Sequence, residues 1–333
     1  MTDVPQSRST RAVLGVVLAV VVGTLLVLAA NGDFSPSASA AGTIVAIQQS
    51  SAYGGVLVVG GSGTLSGFPL YEFSGDVGGS LGCGTTRAKG YDFGPNLVEP
   101  LTCTGPQSDV LSNNTTDDWP ALTSGGKPVA GPGVDPALLG TVRRAGVGDQ
   151  VTYAGHPLYL FDPYSYPFNP QGEGYMETVA PFAPWHGYWF LVSSSTGAPV
   201  PGRATVEVGV LPSGRRVVAV EEDPNVAPIA VSVYALHHRG TARVACTGAC
   251  TATWVPVLSD GAPEAIGVPG SSVGVVHSAN GTEQVTFDGQ PLYLYSRERA
   301  VTTGKDRFDV HGTMGNGDGV TIPDGGTFSL VSP

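Results

Sequence analysis

The stretch VTYAGHPLYLF at residues 151–161 returns as VTFDGQPLYLY at residues 285–295. Each copy runs Val-Thr-aromatic, then a glycine turn, then Pro-Leu-Tyr-Leu-aromatic. Ala154-Gly155 and Asp288-Gly289 sit at the turns, and Asp-Gly between two β-rich runs is a strong hairpin signal. The same hairpin written twice points to an internal duplication, and that decides how the chain is divided.

Working outward, PLYEFSGDVGGSLGC at 69–83 aligns with SVYALHHRGTARVAC at 232–246, with the same interval from Tyr71 to Cys83 as from Tyr234 to Cys246. After the cysteines come WPAL from Trp119 and WVPVL from Trp254. Both copies close alike, with WFLVSS from Trp189 and FSLVSP from Phe328. Two tandem units follow, 43–197 and 203–333, joined by the small, Pro-rich STGAPVPG at 195–202. A tyrosine-bearing strand occurs twice in each unit.

Alternation and β-rich residues predict strands at 42–47, 55–59, 68–73, 140–144, 150–153 and 158–161. In the second unit they predict strands at 204–210, 215–220, 230–236, 272–277, 283–287, 292–295 and 327–331. With 48 glycines, 27 prolines and only 13% charged residues, the composition suits short antiparallel strands and argues against a helical bundle. The expected fold is all-β: two units, each a small sandwich or barrel of doubled hairpins. The alternative is one propeller-like ring of four motifs.

Arg8 and Arg11 precede an apolar run from residue 12 to residue 30, and Ala38-Ser39-Ala40 has the small-x-small form of a cleavage box. Residues 1–40 therefore read as an export signal cleaved after Ala40, or as a retained N-terminal membrane anchor, since about 20 apolar residues span a bilayer. Either way the two arginines send the rest of the chain outward. The net charge of -11, with no basic block, repels phosphate backbones and sets nucleic acid aside as a partner.

The motifs resemble a bacterial family known as the secreted repeat of unknown function, whose members carry Tyr-x-(Phe/Trp/Tyr)-x-x-Asp. Tyr71, Phe73 and Asp76 match it in full; Tyr293, Tyr295 and Glu298 match with Glu for Asp; Tyr159 and Phe161 keep the aromatics; Tyr234 keeps the first ring alone. QVTYAGHPLY at 150–159 and the CTGAC and WVPVL elements are similar to further family segments. The resemblance covers most of 43–333 and implies an exported β protein without an assigned activity. The family's lipidation cysteine is absent here. An insertion between Cys83 and Cys103 and an aromatic, Pro-rich insertion at 162–189 also depart from the pattern.

An even set of cysteines in an exported chain predicts disulfides. The alignment of the units pairs Cys83 with Cys103 and Cys246 with Cys250. A metal site at Cys246 and Cys250 would need further ligands at suitable spacing, and none follows. His237 and His238 are adjacent on a strand, so they face opposite sides and do not share an ion; His156, His186, His277 and His311 stand alone. GNGDGV at 315–320 alternates oxygen donors but lacks the full calcium-loop series, and reads as a glycine turn. No catalytic motif is present, and nothing calls for a cofactor or a resident metal.

In the Tyr-x-aromatic motif both rings share a strand face, and the acid lies past the strand end. The reading is a core tyrosine whose hydroxyl meets a carboxylate or backbone group; the rival is a ligand-facing Tyr/Asp pair. The candidate binding surface is the insertion, with Tyr164, Tyr166, Phe168, Tyr175, Trp185 and Tyr188; rigid aromatic loops suit protein or carbohydrate faces. Its rival role is satellite core over the sheet. The expected function is a non-enzymatic, exported or envelope-associated binding module with a protein or carbohydrate partner. The alternatives are a redox- or metal-associated envelope protein and a hydrolase whose site assembles only in space.

Overall fold

The computed structural model describes residues 41–333 apart from 78, 85–90, 93–97, 100–101, 112–118, 162–166, 168, 176–186, 223–228, 239–245, 279–280, 299, 303–309, 314 and 324. Its described elements are short strands and three 3-10 turns, without an α-helix. The expected signal or anchor at 1–40 lies outside the described residues. Among those described, no helix is long and apolar enough to cross a membrane.

The hairpin that decides the sequence reading forms in both places. Gly148–Tyr153 turns back on His156–Pro157, and Glu283–Phe287 on Gln290–Tyr295, with Tyr153 opposite His156 and Phe287 opposite Gln290. On its other side each first strand has a matching partner, Leu139–Arg144 against Gly148–Tyr153 and Val273–His277 against Glu283–Phe287. The turns of the repeated hairpin need two residues at positive φ. Ala154 and Gly155 stand at 50° and 89°, and Asp288 and Gly289 at 49° and 74°. That geometry matches the twist of the flanking strands.

A second arrangement also occurs twice. Ile44–Ser50 pairs antiparallel with Gly54–Val59 and parallel with Val129–Ala130. Thr205–Val210 pairs antiparallel with Arg216–Glu222 and parallel with Glu264–Ile266. The two parallel pairings correct the expectation of purely antiparallel strands: long connections return Val129–Ala130 and Glu264–Ile266 to an open edge in the same direction, which a tight hairpin cannot do. The sheets run as open ladders, so the described strands close no barrel, which corrects the barrel form of the expectation.

Tyr71–Phe73 pairs with Trp189–Val192, and Tyr234–His237 with Thr327–Leu330. Three predicted strands change here. The run at 230–236 breaks into Ile229–Ser232 and Tyr234–His237, because the chain switches sheets at Val233. The run at 158–161 joins its neighbours only by isolated bridges from Tyr159 to Tyr71 and to Ala121. The run at 68–73 shrinks to Tyr71–Phe73. Pro69 and Pro120 lie in or beside these last two and have no N–H for a ladder.

Four apolar clusters form among the described residues. One centres on Val45, Leu57, Leu70, Val151 and Leu160. A second holds Tyr71, Phe73, Trp119, Tyr159, Phe161 and Trp189 with Cys83 and Cys103. A third holds Tyr234, Trp254, Tyr293, Phe328 and Leu330 with Cys246. A fourth is built from Val206, Val218, Val220, Val233, Val257, Val285 and Phe287, and admits Tyr188 and Phe190 from the first half. Alternation explains that exchange: on Trp189–Val192, Trp189 and Leu191 face the first aromatic cluster while Phe190 faces the second half. The halves therefore share one core across the predicted boundary.

Both disulfides form as the alignment pairs them, Cys83–Cys103 and Cys246–Cys250, each with Cα atoms 5.2 Å apart. Disulfides of this kind persist in oxidising, extracytoplasmic surroundings.

Candidate functional site

The tyrosines of the motif gather around two aromatic stacks. In the first half Trp119 lies flat on Trp189, centroids 3.8 Å apart and 9° between planes. In the second, Trp254 lies on Phe328 at 3.7 Å and 7°. Tyr71 meets Trp119 edge-on at 5.3 Å, and Tyr234 meets Trp254 edge-on at 5.4 Å. Phe161 and Tyr295 complete the stacks, each 4.5 Å from its tryptophan. Offset and edge-on packing of this sort adds about 0.5–1.5 kcal/mol per pair beyond burial alone.

The acids do not serve their own motifs. The Tyr159 hydroxyl donates to Asp76 Oδ2 at 2.5 Å, so the first motif's acid meets the second motif's tyrosine. In the other half the order reverses, and Tyr234 of the earlier motif donates to Glu298 of the later one. One acid per half is thus engaged, each by a tyrosine of the other motif in its half. Asp76 Oδ1 accepts from the Cys83 N–H, and Glu298 Oε1 from the Asn316 N–H.

Arg144, buried at 4% exposure, closes the first network. Its guanidinium donates to Tyr159 Oη at 2.6 Å, to Gln150 Oε1 at 2.7 Å and to the Cys83 carbonyl. Gln150 in turn donates to the Leu158 carbonyl, as Gln284 does to that of Leu292. Burial pushes the Tyr71, Tyr159 and Tyr234 hydroxyls far above their ordinary range, so they stay protonated as donors. Burial also raises Asp76, against the pull of the Tyr159 hydrogen bond and Arg144.

A second element escaped the sequence reading. QGEGY at 171–175 and NGDGV at 316–320 occupy matching places. Gly172 N–H donates to Tyr71 Oη at 3.2 Å, and Gly317 N–H to Tyr234 Oη at 3.1 Å. Glu173 accepts from the Leu191 N–H, and Asp318 from the Leu330 N–H. A Cβ on Gly172 would fall 2.6 Å from the Trp119 ring, and one on Gly317 2.7 Å from that of Trp254. The faintly calcium-like loop is thus a brace that ties a strand to its stack. The Gly-acid-Gly triplet, present twice, was the signal that could have found it.

One member of the candidate binding surface, Tyr188, is corrected. Tyr188 is fully buried in the shared core, and Tyr175 is half-buried, 5.6 Å from both Trp119 and Phe161. Hydrogen bonds between Ser74 and Tyr188, and between Tyr175 and Trp189, draw both ends of the insertion back onto the strands. Tyr164, Tyr166, Phe168 and Trp185 lie outside the described residues. His237 and His238 are exposed, and no group of three His, Cys, Asp or Glu side chains among the described residues could hold a metal.

One buried group has no counterpart in the second half. Glu72, 4% exposed, alternates away from the aromatic stack. Its Oε2 makes no hydrogen bond and lies 3.2 Å from His156 Nδ1. By alignment Ala235 stands for Glu72 and Gln290 for His156, so the pair is replaced together. Burial, with Asp76 adding to it, raises Glu72 well above the carboxylate range, and burial lowers His156. Both shifts favour neutral forms, and the contact is a carboxyl–imidazole pair rather than a salt bridge.

No family model, no curated protein and no solved structure matches this chain.

Proposed function

We propose that this chain is an exported binding module, secreted or held at the cytoplasmic membrane by its N-terminal segment, and built as two tandem copies of one secreted repeat. The matched stacks, braces and tyrosine–acid bonds support the duplication, and the two disulfides support an extracytoplasmic site. One observation carries the functional reading: Tyr71, Tyr159, Tyr234, Asp76 and Glu298 are buried and engaged with one another or with backbone N–H groups. Groups so engaged make a rigid frame. Recognition then belongs to the insertions that the frame carries, of which the aromatic, Pro-rich one at 162–189, with Tyr164, Tyr166, Phe168 and Trp185, suits a protein or carbohydrate face of the cell envelope.

The test is deletion of 176–186 with Gly187 to Val192 kept, because those residues belong to the core. Residues 41–333, with and without the deletion, serve as bait against solubilised envelope protein and against peptidoglycan fragments. The expected result is an unchanged melting transition with loss of the captured ligand. An identical set of ligands on both baits, or none on either, would refute the assignment to this loop.

A further inference from the structure

The two cystines occupy matching places beside their stacks, but they are enclosed differently. Cys83 and Cys103 are both 0% exposed. The Cys83 N–H is held by Asp76, and the Arg144 guanidinium lies on the Cys83 carbonyl. Cys246 is 7% exposed, and Cys250 is only half-buried at the end of the 3-10 turn Gly248–Cys250. The three residues between them, Thr247, Gly248 and Ala249, are all exposed. The strand register that places Arg144 over the first cystine places Ser278 in the second half, and its N–H is turned to the Thr282 carbonyl. Asp76, the other clamp, is matched in sequence by Arg239, which lies outside the described residues.

We propose that Cys246–Cys250 is a site of reversible thiol–disulfide exchange with small external thiols, attacked at Cys250, while Cys83–Cys103 stays closed as long as the chain is folded. Exchange needs a thiolate to reach one sulfur of the pair, so access selects both the bond and the end attacked. The incoming thiolate forms a new S–S bond with Cys250 Sγ as the bond between Cys250 and Cys246 breaks. The electron pair leaves on Cys246 Sγ, which takes a proton from water. The thiol supplies the only co-reactant, and the product is a mixed disulfide at Cys250 beside a free Cys246 thiol. That thiol remains near the Trp254 carbonyl, 3.8 Å from its sulfur, which accepts its S–H. Only four positions separate the two cysteines, so Cys246 attacks the mixed disulfide at high effective concentration and expels the external thiol. The site takes up and releases a thiol without a net oxidant.

The experiment uses folded protein spanning 41–333. It is exposed to reduced glutathione, quenched with acid, alkylated, digested and mapped by mass spectrometry. In the fraction trapped open by the quench, the expected map shows glutathione on Cys250 and the alkyl group on Cys246, with Cys83–Cys103 intact and opening at least on the order of tenfold more slowly. In urea both bonds open, which confirms that either is detectable. A Cys246→Ser variant given oxidised glutathione should accumulate the Cys250 adduct stably, since the returning thiol is gone. Equal opening rates, prior opening of Cys83–Cys103, glutathione on Cys246, or no opening of either bond before unfolding would each overturn the proposal. The wild-type map alone decides the matter if the variant does not fold.

Discussion

The Tyr159 hydroxyl is bound to the carboxylate of Asp76, 83 residues earlier in the chain, inside a network that also holds Arg144 and the Cys83 backbone. This bond joins the end of one motif to the strand of the next. It makes the disulfide loop and the deciding hairpin parts of one buried unit.

Removing either end should expose that coupling. Tyr159→Phe leaves the Asp76 carboxylate short of a donor in a buried site, which costs about 1–3 kcal/mol. Asp76→Asn should cost a similar amount. The two changes together should cost less than their sum by about 1 kcal/mol or more, as expected of contacting groups. Urea unfolding of the double-mutant cycle measures it, and strict additivity would show that the bond is not made in solution.

Gly172 and Gly317 should tolerate no side chain. Alanine at either would drive a methyl into the indole of Trp119 or Trp254, and overpacking of this kind costs about 1–3 kcal/mol. Gly63→Ala is the control, because nothing lies within 4 Å of the added atom. Thermal melts should rank Gly63→Ala near wild type and the other two well below it.

Stability should fall as the pH rises, and Glu72 should be a main cause. Its carboxyl is raised in the folded chain by burial, so the native state keeps a proton that the unfolded chain loses above about pH 4.3. The associated stability is complete below that pH and is lost as the pH climbs through the folded value. Asp76 acts with the same sign. His156 acts oppositely: its folded value is lowered, so its contribution is present above about pH 6.5 and lost as the pH falls through the folded value. One proton gives a slope of at most about 1.4 kcal/mol per pH unit. Urea midpoints between pH 4 and pH 9 should show a shallower decline for Glu72→Gln than for wild type; parallel curves would assign the decline elsewhere.

The cystines should stabilise unequally. Cys83–Cys103 closes a separation of 20 residues and Cys246–Cys250 one of 4. Loop-closure entropy then gives about 3 kcal/mol for the first and about 2 kcal/mol for the second. Paired Cys→Ala variants, compared by urea unfolding, should reproduce that order.

Much of the frame was legible in the residues. The repeated VTY and VTF hairpins, the tyrosine-to-cysteine spacing and the positive-φ turn at Asp288-Gly289 are local features, and local features survive in one dimension. The Gly-acid-Gly braces were written twice as well, but Gln171 to Tyr175 and Asn316 to Val320 sit after insertions of different length, which hid their equivalence. Tyr188 lies in the core, and Tyr175 half-buried beside the stack, for a related reason. Their aromatic, Pro-rich context suits a surface loop, and only the strand partners at Ser74 and Trp189 draw them inward.

The sequence by itself determined an all-β chain, its two alike hairpins and its cystine pairing, because alternation, turn chemistry and residue spacing act over a few residues. Only the tertiary structure decided which acid meets which tyrosine, and that Phe190 and Tyr188 complete the core of the second half. Those contacts join residues far apart along the chain, and their partners are chosen by which strand faces meet rather than by any neighbour in sequence.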